Sequence, residues 1–497
     1  MSAGAVSGEA APVGVGPRRQ APLATILVTF SLLLSACGGG GSSAPVGSGV
    51  SPTPTPTAGT GGTCSLRSRQ DWAAAQIREF YLFPETLPTV LDPAAFSNVS
   101  DYIDALTATA RGQARDRFFT FLTSIAEENA FINSGQTAAF GIRLQTDNVA
   151  RRVFVADAFE NAPAFAAGLD RGTEILAIGT SAGDLRSVDA IIAAEGAAGI
   201  STALGPSTAG ITRSVRISDT GGTRIVQMTK ADFAIQPLSP RFGSRIIIDA
   251  GKRVGYINLR TFISTADPQL RDAFAGFKAQ GITQVIVDFR YNGGGLVSIA
   301  ELMGDLLGDN RFASDVFSFT TFRPEKSSNN STRTFSRQPQ SIAPTRIAFI
   351  GTAASASASE LVVNSFTPYF GTASGLIGAN TFGKPVGQIA RDQAACDDRL
   401  RIVAFATQNS LRRGDYFNGL ASEVAASCRA DDALSALMGD PAEASTRAAL
   451  DFLAGNACTP ISSDARGAAI GDVPRDRRAL LLPDRPDAAQ REVPGTF

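Results

Sequence analysis

Three alternating serines and one lysine are the residues whose types and spacing could supply a nucleophile and its base. Ser355, Ser357 and Ser359 alternate with alanines, follow a short apolar run and precede Glu360. That position predicts a junction between a strand and a helix, where the helix dipole favours an alkoxide or an oxyanion. Small residues and serines also form ordinary helix N-caps, so this segment taken alone leaves all three serines open.

The base cannot be a histidine, because the chain contains none. This absence excludes a Ser-His-Asp triad, a Cys-His pair and any zinc site with a histidine ligand. Only five lysines occur among the 45 basic residues, and one of them, Lys384, lies in the segment Thr-Phe-Gly-Lys-Pro-Val-Gly-Gln. A lysine can act as a base only when neutral, and burial among apolar groups lowers its pKa from about 10.4. Phe382 and the flanking glycines are compatible with such a packed pocket.

A glycine-rich turn could stabilise the negative charge that such a nucleophile generates. Residues 288–295 read Asp-Phe-Arg-Tyr-Asn-Gly-Gly-Gly, after a buried apolar run and before a helical pattern. Glycines allow a close backbone approach, so that N–H groups can point at a developing charge. A plain strand-to-helix turn is the alternative, and the spacing fits no common phosphate-binding loop.

The order of these motifs resembles the C-terminal processing (tail-specific) serine peptidase family over residues 65–453. The resemblance rests on a PDZ-like segment, then Asp-x-Arg-x-Asn-Gly-Gly-Gly, Ser-Ala-Ser-Glu and Thr-Phe-Gly-Lys-x-x-x-Gln. It implies that Ser357 is the nucleophile, that Lys384 is the general base and that Gln388 orients the lysine. The implied oxyanion hole consists of backbone N–H groups of Ala358 and of Gly293 or Gly294.

A second resemblance concerns peptide binding. The segment from Glu160 to Ile178 is similar to a PDZ domain, and the stretch containing Phe140, Gly141 and Ile142 resembles its carboxylate-binding loop. Such a loop holds the terminal carboxylate of a peptide, which adds a strand to the sheet edge.

The N-terminal residues resemble a bacterial lipoprotein signal. Arg18 and Arg19 precede an apolar run that is too short to span a bilayer, followed by Leu-Ser-Ala and Cys37. The resemblance implies cleavage before Cys37, lipidation of its thiol and a location in the bacterial cell envelope, at the outer membrane and facing the periplasm. Four further cysteines allow three disulfide pairings in an oxidising compartment.

These patterns predict a multidomain α+β protein, for which the resemblances imply a helical N-terminal cap, a PDZ-like β-rich domain and a ClpP/crotonase-like α/β peptidase core. The predicted parts are a signal peptide (1–36), a flexible tether (37–63), a helical N-terminal domain (64–135), a PDZ-like domain (136–235), the serine peptidase core (236–460) and a disordered tail (461–497).

The predicted function is cleavage of proteins or peptides near their C-terminal tails, without a metal or cofactor. The partners are those protein chains and, through the lipid on Cys37, a membrane; a net charge of −1 gives no indication of a nucleic-acid partner. A non-catalytic PDZ scaffold on the envelope is the main alternative. A crotonase-like acyl-CoA enzyme would share the core, but export argues against a CoA substrate.

Overall fold

The computed structural model describes residues 63–462 and 478–497. The expected signal peptide, the lipidation site at Cys37 and the tether up to residue 62 lie outside the described residues. Within those two ranges no helix is both long enough and apolar enough to cross a membrane.

The helices of the described residues are numbered in chain order. They are α1 (Leu66–Phe80), α2 (Val99–Leu106), α3 (Ala108–Gly112), α4 (Ile125–Ser134), α5 (Pro163–Ala166), α6 (Val188–Leu204), α7 (Ala266–Ala279), α8 (Val297–Leu307), α9 (Ala358–Phe370), α10 (Ala444–Ala454) and α11 (Ala488–Glu492).

The strands are numbered in the same way. They are β1 (Phe121–Ser124), β2 (Gln136–Ala139), β3 (Ile142–Asp147), β4 (Arg152–Ala158), β5 (Glu174–Gly179), β6 (Arg186–Ser187), β7 (Thr212–Asp219), β8 (Gly222–Thr229), β9 (Ala231–Ala234), β10 (Ser244–Asp249), β11 (Lys252–Asn258), β12 (Gln284–Asp288), β13 (Val316–Phe322), β14 (Ser331–Thr334), β15 (Arg346–Gly351), β16 (Ser374–Gly378), β17 (Val386–Gln393), β18 (Asp398–Gln408), β19 (Ser427–Arg429) and β20 (Ala479–Leu480).

A six-stranded sheet forms the centre of the region after residue 243. Its order is β10-β11-β12-β15-β16-β19, with β10 antiparallel to β11 and all other neighbours parallel. In β12, Val285 and Val287 join the apolar cluster that includes α7, α8 and α9, whereas Ile286 joins the cluster that includes α10. Alternate side chains thus face opposite layers, which explains why the strand is a continuous apolar run.

Helix α7 connects β11 to β12, and α8 follows β12. The polar stretch 309–340 contains the antiparallel pair β13 and β14. These strands belong to a five-stranded sheet of order β1-β18-β13-β14, in which β17 also pairs with β18. Helices α1 and α2 pack on that sheet, because Ile77 and Leu106 share an apolar cluster with Ile402.

A seven-stranded antiparallel sheet lies within residues 142–229 and is completed by β20. Its order is β20-β3-β4-β5-β7-β8, with β6 paired to β5. We call this sheet, together with α5 and α6, the seven-stranded unit. Its assignment to the PDZ class stays a prediction, as does the role of the N-terminal helices as a cap.

The prediction of a disordered tail is wrong for residues 478–497, which form β20 and α11. These residues, hereafter the C-terminal segment, pair with β3 and bury Leu481, Val493 and Phe497. The polar composition suggested disorder, but these widely spaced apolar side chains each reach a pocket built by distant parts of the chain.

Two disulfides pair the four cysteines in the described residues. Cys64 is bonded to Cys396, and Cys428 to Cys458. The first connects the start of α1 to the turn between β17 and β18, and the second connects β19 to the residues after α10. Cross-links between distant positions stabilise the fold mainly by restricting the unfolded chain.

Candidate active site

Three motif segments leave the six-stranded sheet at the same edge. Strands β12, β15 and β16 are parallel neighbours, with Asp288 paired to Ile350 and Ile350 to Ile377. The glycine-rich turn follows β12, the serine segment follows β15 and the lysine segment follows β16. Segments far apart in the sequence therefore meet where these strands end, which is the usual place for a binding site in such sheets.

The three serines of the serine segment differ in their surroundings. Ser355 and Ser359 are each 1% exposed, and their hydroxyls donate to the main-chain carbonyls of Phe289 and Asn292. Ser357 is partly exposed and precedes α9 in a backbone conformation with φ of 55°. Positive φ is unusual for a residue with a Cβ, and such strain tends to occur at functional sites. Two of the serines thus form buried hydrogen bonds, whereas Ser357 stays partly exposed.

Glu360 holds the serine segment against the lysine segment. One of its carboxylate oxygens accepts hydrogen bonds from the main-chain N–H groups of Ser357, at 3.0 Å, and Lys384, at 2.7 Å. The other accepts from the N–H of Gly383 at 2.6 Å. Burial raises the pKa of the Glu360 carboxyl, while hydrogen bonds from Thr381 and these N–H groups oppose the rise. A single buried carboxylate therefore fixes the distance between the two backbones.

Lys384 is partly buried beside an aromatic ring. Its ammonium donates to the side-chain oxygen of Gln388 at 2.8 Å and lies 4.9 Å from the ring centre of Phe119. The amide of Gln388 donates in turn to the Phe119 carbonyl. Burial lowers the pKa of Lys384, and the carboxylate of Glu492 opposes this shift. Gln388 is thus hydrogen-bonded to the lysine, and its role in orienting Lys384 stays a prediction.

The ammonium of Lys384 makes no hydrogen bond to the hydroxyl of Ser357 among the contacts of the described residues. The main-chain nitrogens of Ser357 and Lys384 nevertheless bind the same oxygen of Glu360. The distance between these nitrogens therefore cannot exceed the sum of the two hydrogen-bond lengths. Catalytic hydrogen bonds are often long before substrate binds and tighten in the complex.

The glycine-rich turn lies directly against the serine segment. Gly294 has φ of 122°, and a Cβ there would come within 2.8 Å of the Cβ of Ser357. Its N–H donates to the side chain of Asn292 at 2.9 Å, whereas the N–H of Gly293 donates to the main-chain carbonyl of Glu492 at 3.0 Å. Of the two glycines expected to form an oxyanion hole, Gly293 is therefore the one whose N–H binds a carbonyl in the cleft.

The sequence model of peptidase family S41 matches residues 253–413, the range that contains all three segments. The chain carries an S41 peptidase domain. This confirms the family resemblance drawn from the motifs.

Comparisons with individual proteins agree with the S41 assignment. The chain is 29% identical over 111 residues to the chloroplastic C-terminal processing peptidase of Tetradesmus obliquus, which covers 19% of this chain and 24% of the relative. The chain thus matches about a quarter of the length of that curated protein.

Solved structures resemble the chain over a longer range. An S41 protease structure from Bacteroides fragilis NCTC 9343 has a TM-score of 0.60 at 21% identity and covers 77% of this chain and 97% of its own. The photosystem II D1 C-terminal processing protease has a TM-score of 0.45 at 17% identity, with 78% and 98% covered. The first of these shows that the S41 protease fold extends beyond the matched domain.

Positioning residues around the S41 site include several that sequence reasoning missed. Besides Glu360, Asn292 accepts at its carbonyl from the N–H of Ala356 at 3.0 Å and from Ser359. Arg117, from the N-terminal region, donates to the carbonyls of Phe382 and Gly383. Glu360 could have been found from its place three residues into a helix, where capping glutamates occur. Arg117 and Phe119 carry no sequence signal.

A buried ionic network joins the S41 domain to the seven-stranded unit. Arg290, within the glycine-rich motif, is fully buried and forms ion pairs with Asp288, Glu443 and Asp432. Arg171, from the seven-stranded unit, pairs with the same Asp432 at 2.8 Å. Removing one member would leave a buried charge unpaired, so the network fixes how the two parts meet.

The residues assigned to peptide binding lie on the seven-stranded unit, apart from the serine and lysine segments. Phe140, Gly141 and Ile142 are buried, and the N–H groups of Gly141 and Ile142 donate to the main-chain oxygen of Phe497 at 2.9 and 3.4 Å. Gly141 has φ of 80°, and a Cβ there would overlap Ala162. We call residues 140–144 and the edge they form the edge groove.

The cleft beside the glycine-rich turn and the lysine segment contains a cavity. No group of three or more Cys, Asp or Glu side chains in the described ranges is arranged to hold a metal ion. A cavity of about 1140 Å³ lies at the cleft, and its walls include Gly293, Ala356 and Lys384 as well as Arg491 and Glu492.

Proposed function

We propose that the chain is a serine peptidase in which Ser357 is the nucleophile and Lys384 is the general base. The observation that carries the proposal is the shared oxygen of Glu360, which binds the N–H groups of both residues. The lowered pKa of Lys384 and the commitment of Ser355 and Ser359 to buried hydrogen bonds support the same pair.

The first half of the reaction forms an acyl-enzyme. The neutral amine of Lys384 accepts the hydroxyl proton of Ser357, and the Ser357 oxygen forms a bond to the carbonyl carbon of the substrate. The carbonyl oxygen becomes an oxyanion, which the N–H groups of Gly293 and Ala358 stabilise. The carbon–nitrogen bond then breaks, and the ammonium of Lys384 returns its proton to the leaving amine.

The second half releases the product and restores the enzyme. Lys384, neutral again, accepts a proton from a water molecule whose oxygen attacks the acyl carbon. The bond to Ser357 breaks, and the serine oxygen regains a proton from the lysine. Gln388 keeps the amine of Lys384 in place through both halves because its side-chain oxygen accepts a hydrogen bond from that amine.

The substrates are proposed to be protein or peptide chains held by their C-terminal tails in a PDZ-like edge groove. Support comes from the main-chain N–H groups of Gly141 and Ile142, which bind the oxygen of an extended chain. Pairing of that chain with β3 depends on main-chain groups, so the groove would accept many sequences with an apolar end residue.

A non-catalytic scaffold that binds tails is the second candidate, and the occupied edge groove is the observation that favours it. The two candidates differ in what they require of Ser357 and Lys384. A scaffold needs neither side chain, whereas the peptidase needs both.

A panel of serine variants tests the peptidase function. We expect Ser357→Ala to reduce cleavage of a model substrate with an apolar C-terminus by at least about 10,000-fold with the fold intact. Ser355→Ala and Ser359→Ala are the matched controls and retain cleavage, with a loss of about 1–3 kcal/mol in the free energy of unfolding from the lost hydrogen bonds. Near-native cleavage by Ser357→Ala would refute the proposal.

Anchoring through a lipid on Cys37 at the outer membrane, facing the periplasm, remains part of the proposed function. A lipid chain would hold the enzyme at the bilayer while its catalytic part faces the periplasm. Fractionation of cells that produce the Cys37→Ser chain checks this. The variant is expected in the soluble fraction, and its retention in the membrane fraction would exclude the anchor.

A further inference from the structure

The C-terminal segment contacts the edge of the seven-stranded unit at two places. Strand β20 pairs antiparallel with Gln145 and Thr146, and Thr496 forms an antiparallel bridge with Arg143. Between these two contacts the chain leaves the sheet edge and forms α11. The segment therefore runs along β3, departs toward the cleft and returns to the same edge.

The end of the segment occupies the edge groove as an added strand. The N–H of Phe497 donates to the carbonyl of Ile142 at 2.9 Å, and the N–H of Leu144 donates to the carbonyl of Gly495 at 3.1 Å. The side chain of Phe497 is 2% exposed and joins the apolar core of the seven-stranded unit. These are the contacts by which an extended peptide adds to a sheet, made here by the chain itself.

The middle of the segment occupies the cleft. The main-chain carbonyl of Glu492 accepts the N–H of Gly293, the group assigned above to the oxyanion hole. Arg491 donates to the carbonyl of Phe118 at 3.1 Å, and its guanidinium lies 3.6 Å from the ring centre of Phe121. A substrate chain would need the same N–H and the same space.

We propose that residues 478–497 are a tethered ligand that competes with substrate chains for the edge groove and the cleft, so that a molecule of the peptidase is inactive whenever this segment is docked and cleaves only while it is displaced. The proposal rests on the proposed function, because inactivity has meaning only for an enzyme. The matching competitor is a polypeptide whose extended end places an aromatic or large apolar side chain where Phe497 lies. A tethered ligand acts at an effective concentration of the order of millimolar, so a free chain must bind well to displace it.

The test measures binding and does not depend on catalysis. A fluorescent peptide with the sequence of residues 486–497 is titrated, with anisotropy as the readout, into chains that carry Ser357→Ala. Adding Phe497→Ala removes the buried anchor of the tethered segment. Adding Phe312→Ala is the matched control, since it deletes a phenylalanine ring that is 76% exposed.

We expect the peptide to bind the Phe497→Ala chain at least about 10-fold more tightly than the chain with an intact segment. The Phe312→Ala chain should match the intact one. Equal binding to all three chains, or binding to none, overturns the proposal. Should Phe497→Ala unfold the protein, hydrogen exchange on the unaltered chain decides: slow exchange at Gly141 and Ile142 is expected, and rapid exchange at both contradicts docking.

Cleavage assays separate this proposal from the proposed function. With Ser357 restored, Phe497→Ala should raise kcat/KM for a peptide substrate about 10-fold or more, while Phe312→Ala leaves it unchanged. Tighter peptide binding without cleavage by any chain would retain the tethered ligand and reject the peptidase. Cleavage that Phe497→Ala does not raise would retain the peptidase and reject the tethered ligand.

Discussion

The edge groove and the cleft hold the same C-terminal segment in different ways. In the groove the chain is extended, and its main-chain groups pair with Ile142 and Leu144. In the cleft it is helical, and the N–H of Val493 donates to the carbonyl of Ala489 at 2.8 Å. The N–H of the peptide bond between Glu492 and Val493 is thus hydrogen-bonded within the helix. The helix would have to unwind before Ser357 could attack this bond. The edge groove thus holds an extended stretch of chain, whereas the cleft holds a helical one.

Loss of the base should give the largest difference between the two regions, because it should impair catalysis at the cleft and leave peptide binding at the edge groove unchanged. We expect Lys384→Ala to lower kcat about 100- to 10,000-fold, because the variant lacks the proposed base for the Ser357 hydroxyl. Peptide affinity at the groove should stay the same, as measured by anisotropy. In the unaltered enzyme the rate should rise with pH as Lys384 loses its proton, with a midpoint below its ordinary pKa of 10.5. Near-native activity of Lys384→Ala would exclude Lys384 as the general base.

Glu360→Gln should reduce catalysis at the cleft by a smaller factor than Lys384→Ala does. An amide has one acceptor oxygen, so it leaves at least one of the buried N–H groups of Ser357, Gly383 and Lys384 unpaired, at a cost of about 1–3 kcal/mol. We expect kcat to fall about 10- to 100-fold with KM nearly constant. The exposed Glu127→Gln is the control. A change in KM alone would mean that Glu360 does not position the pair.

Gly141→Ala should damage the groove and spare the cleft. The new Cβ overlaps Ala162 in a backbone with φ of 80°, so the loop must shift. We expect affinity for the peptide of residues 486–497 to fall about 10-fold in the Phe497→Ala chain, since the N–H donors move. Gly222→Ala is the control, with φ of 92° and open space around the Cβ. Equal losses in both variants would point to general strain.

The smallest expected effect is the pH dependence of docking. Glu492 faces Lys384, Arg401, Glu128 and Arg491, and burial raises the pKa of its carboxyl above the ordinary 4.5. A group whose pKa is raised in the docked state favours docking at low pH, and this contribution is lost as pH rises through the raised pKa. Competition by a peptide of residues 486–497 that carries Glu492→Gln should therefore become easier above pH 4.5, by less than about 10-fold per pH unit, because this competitor has no carboxyl at that position. Glu492→Gln in the chain itself should flatten this slope, and an unchanged slope would mean that another group causes the pH dependence.

The sequence predicted the parts of the site that depend on local pattern. Apolar runs marked the glycine-rich, serine and lysine segments as strand ends, and strand ends in a parallel sheet collect such segments at one edge. The choice of Ser357 over Ser355 depended on the resemblance, and only burial and hydrogen bonding distinguish the serines physically.

The remaining contacts join residues that no local pattern connects. Phe119 reaches Lys384 from the N-terminal region, and Arg171 from the seven-stranded unit binds the same Asp432 as Arg290. The C-terminal segment has isolated apolar residues and no continuous hydrophobic period, so its composition resembled a disordered tail. Its order comes from pockets that exist only once the rest of the chain has folded.

The most direct test of the central claim is to label the unaltered protein with a serine-directed covalent probe and to map the modified residue by mass spectrometry. The account predicts modification at Ser357 alone, faster in the Phe497→Ala chain and absent when Lys384 is replaced by alanine. Modification of Ser355 or Ser359 in place of Ser357, or labelling that does not depend on Lys384, would contradict it.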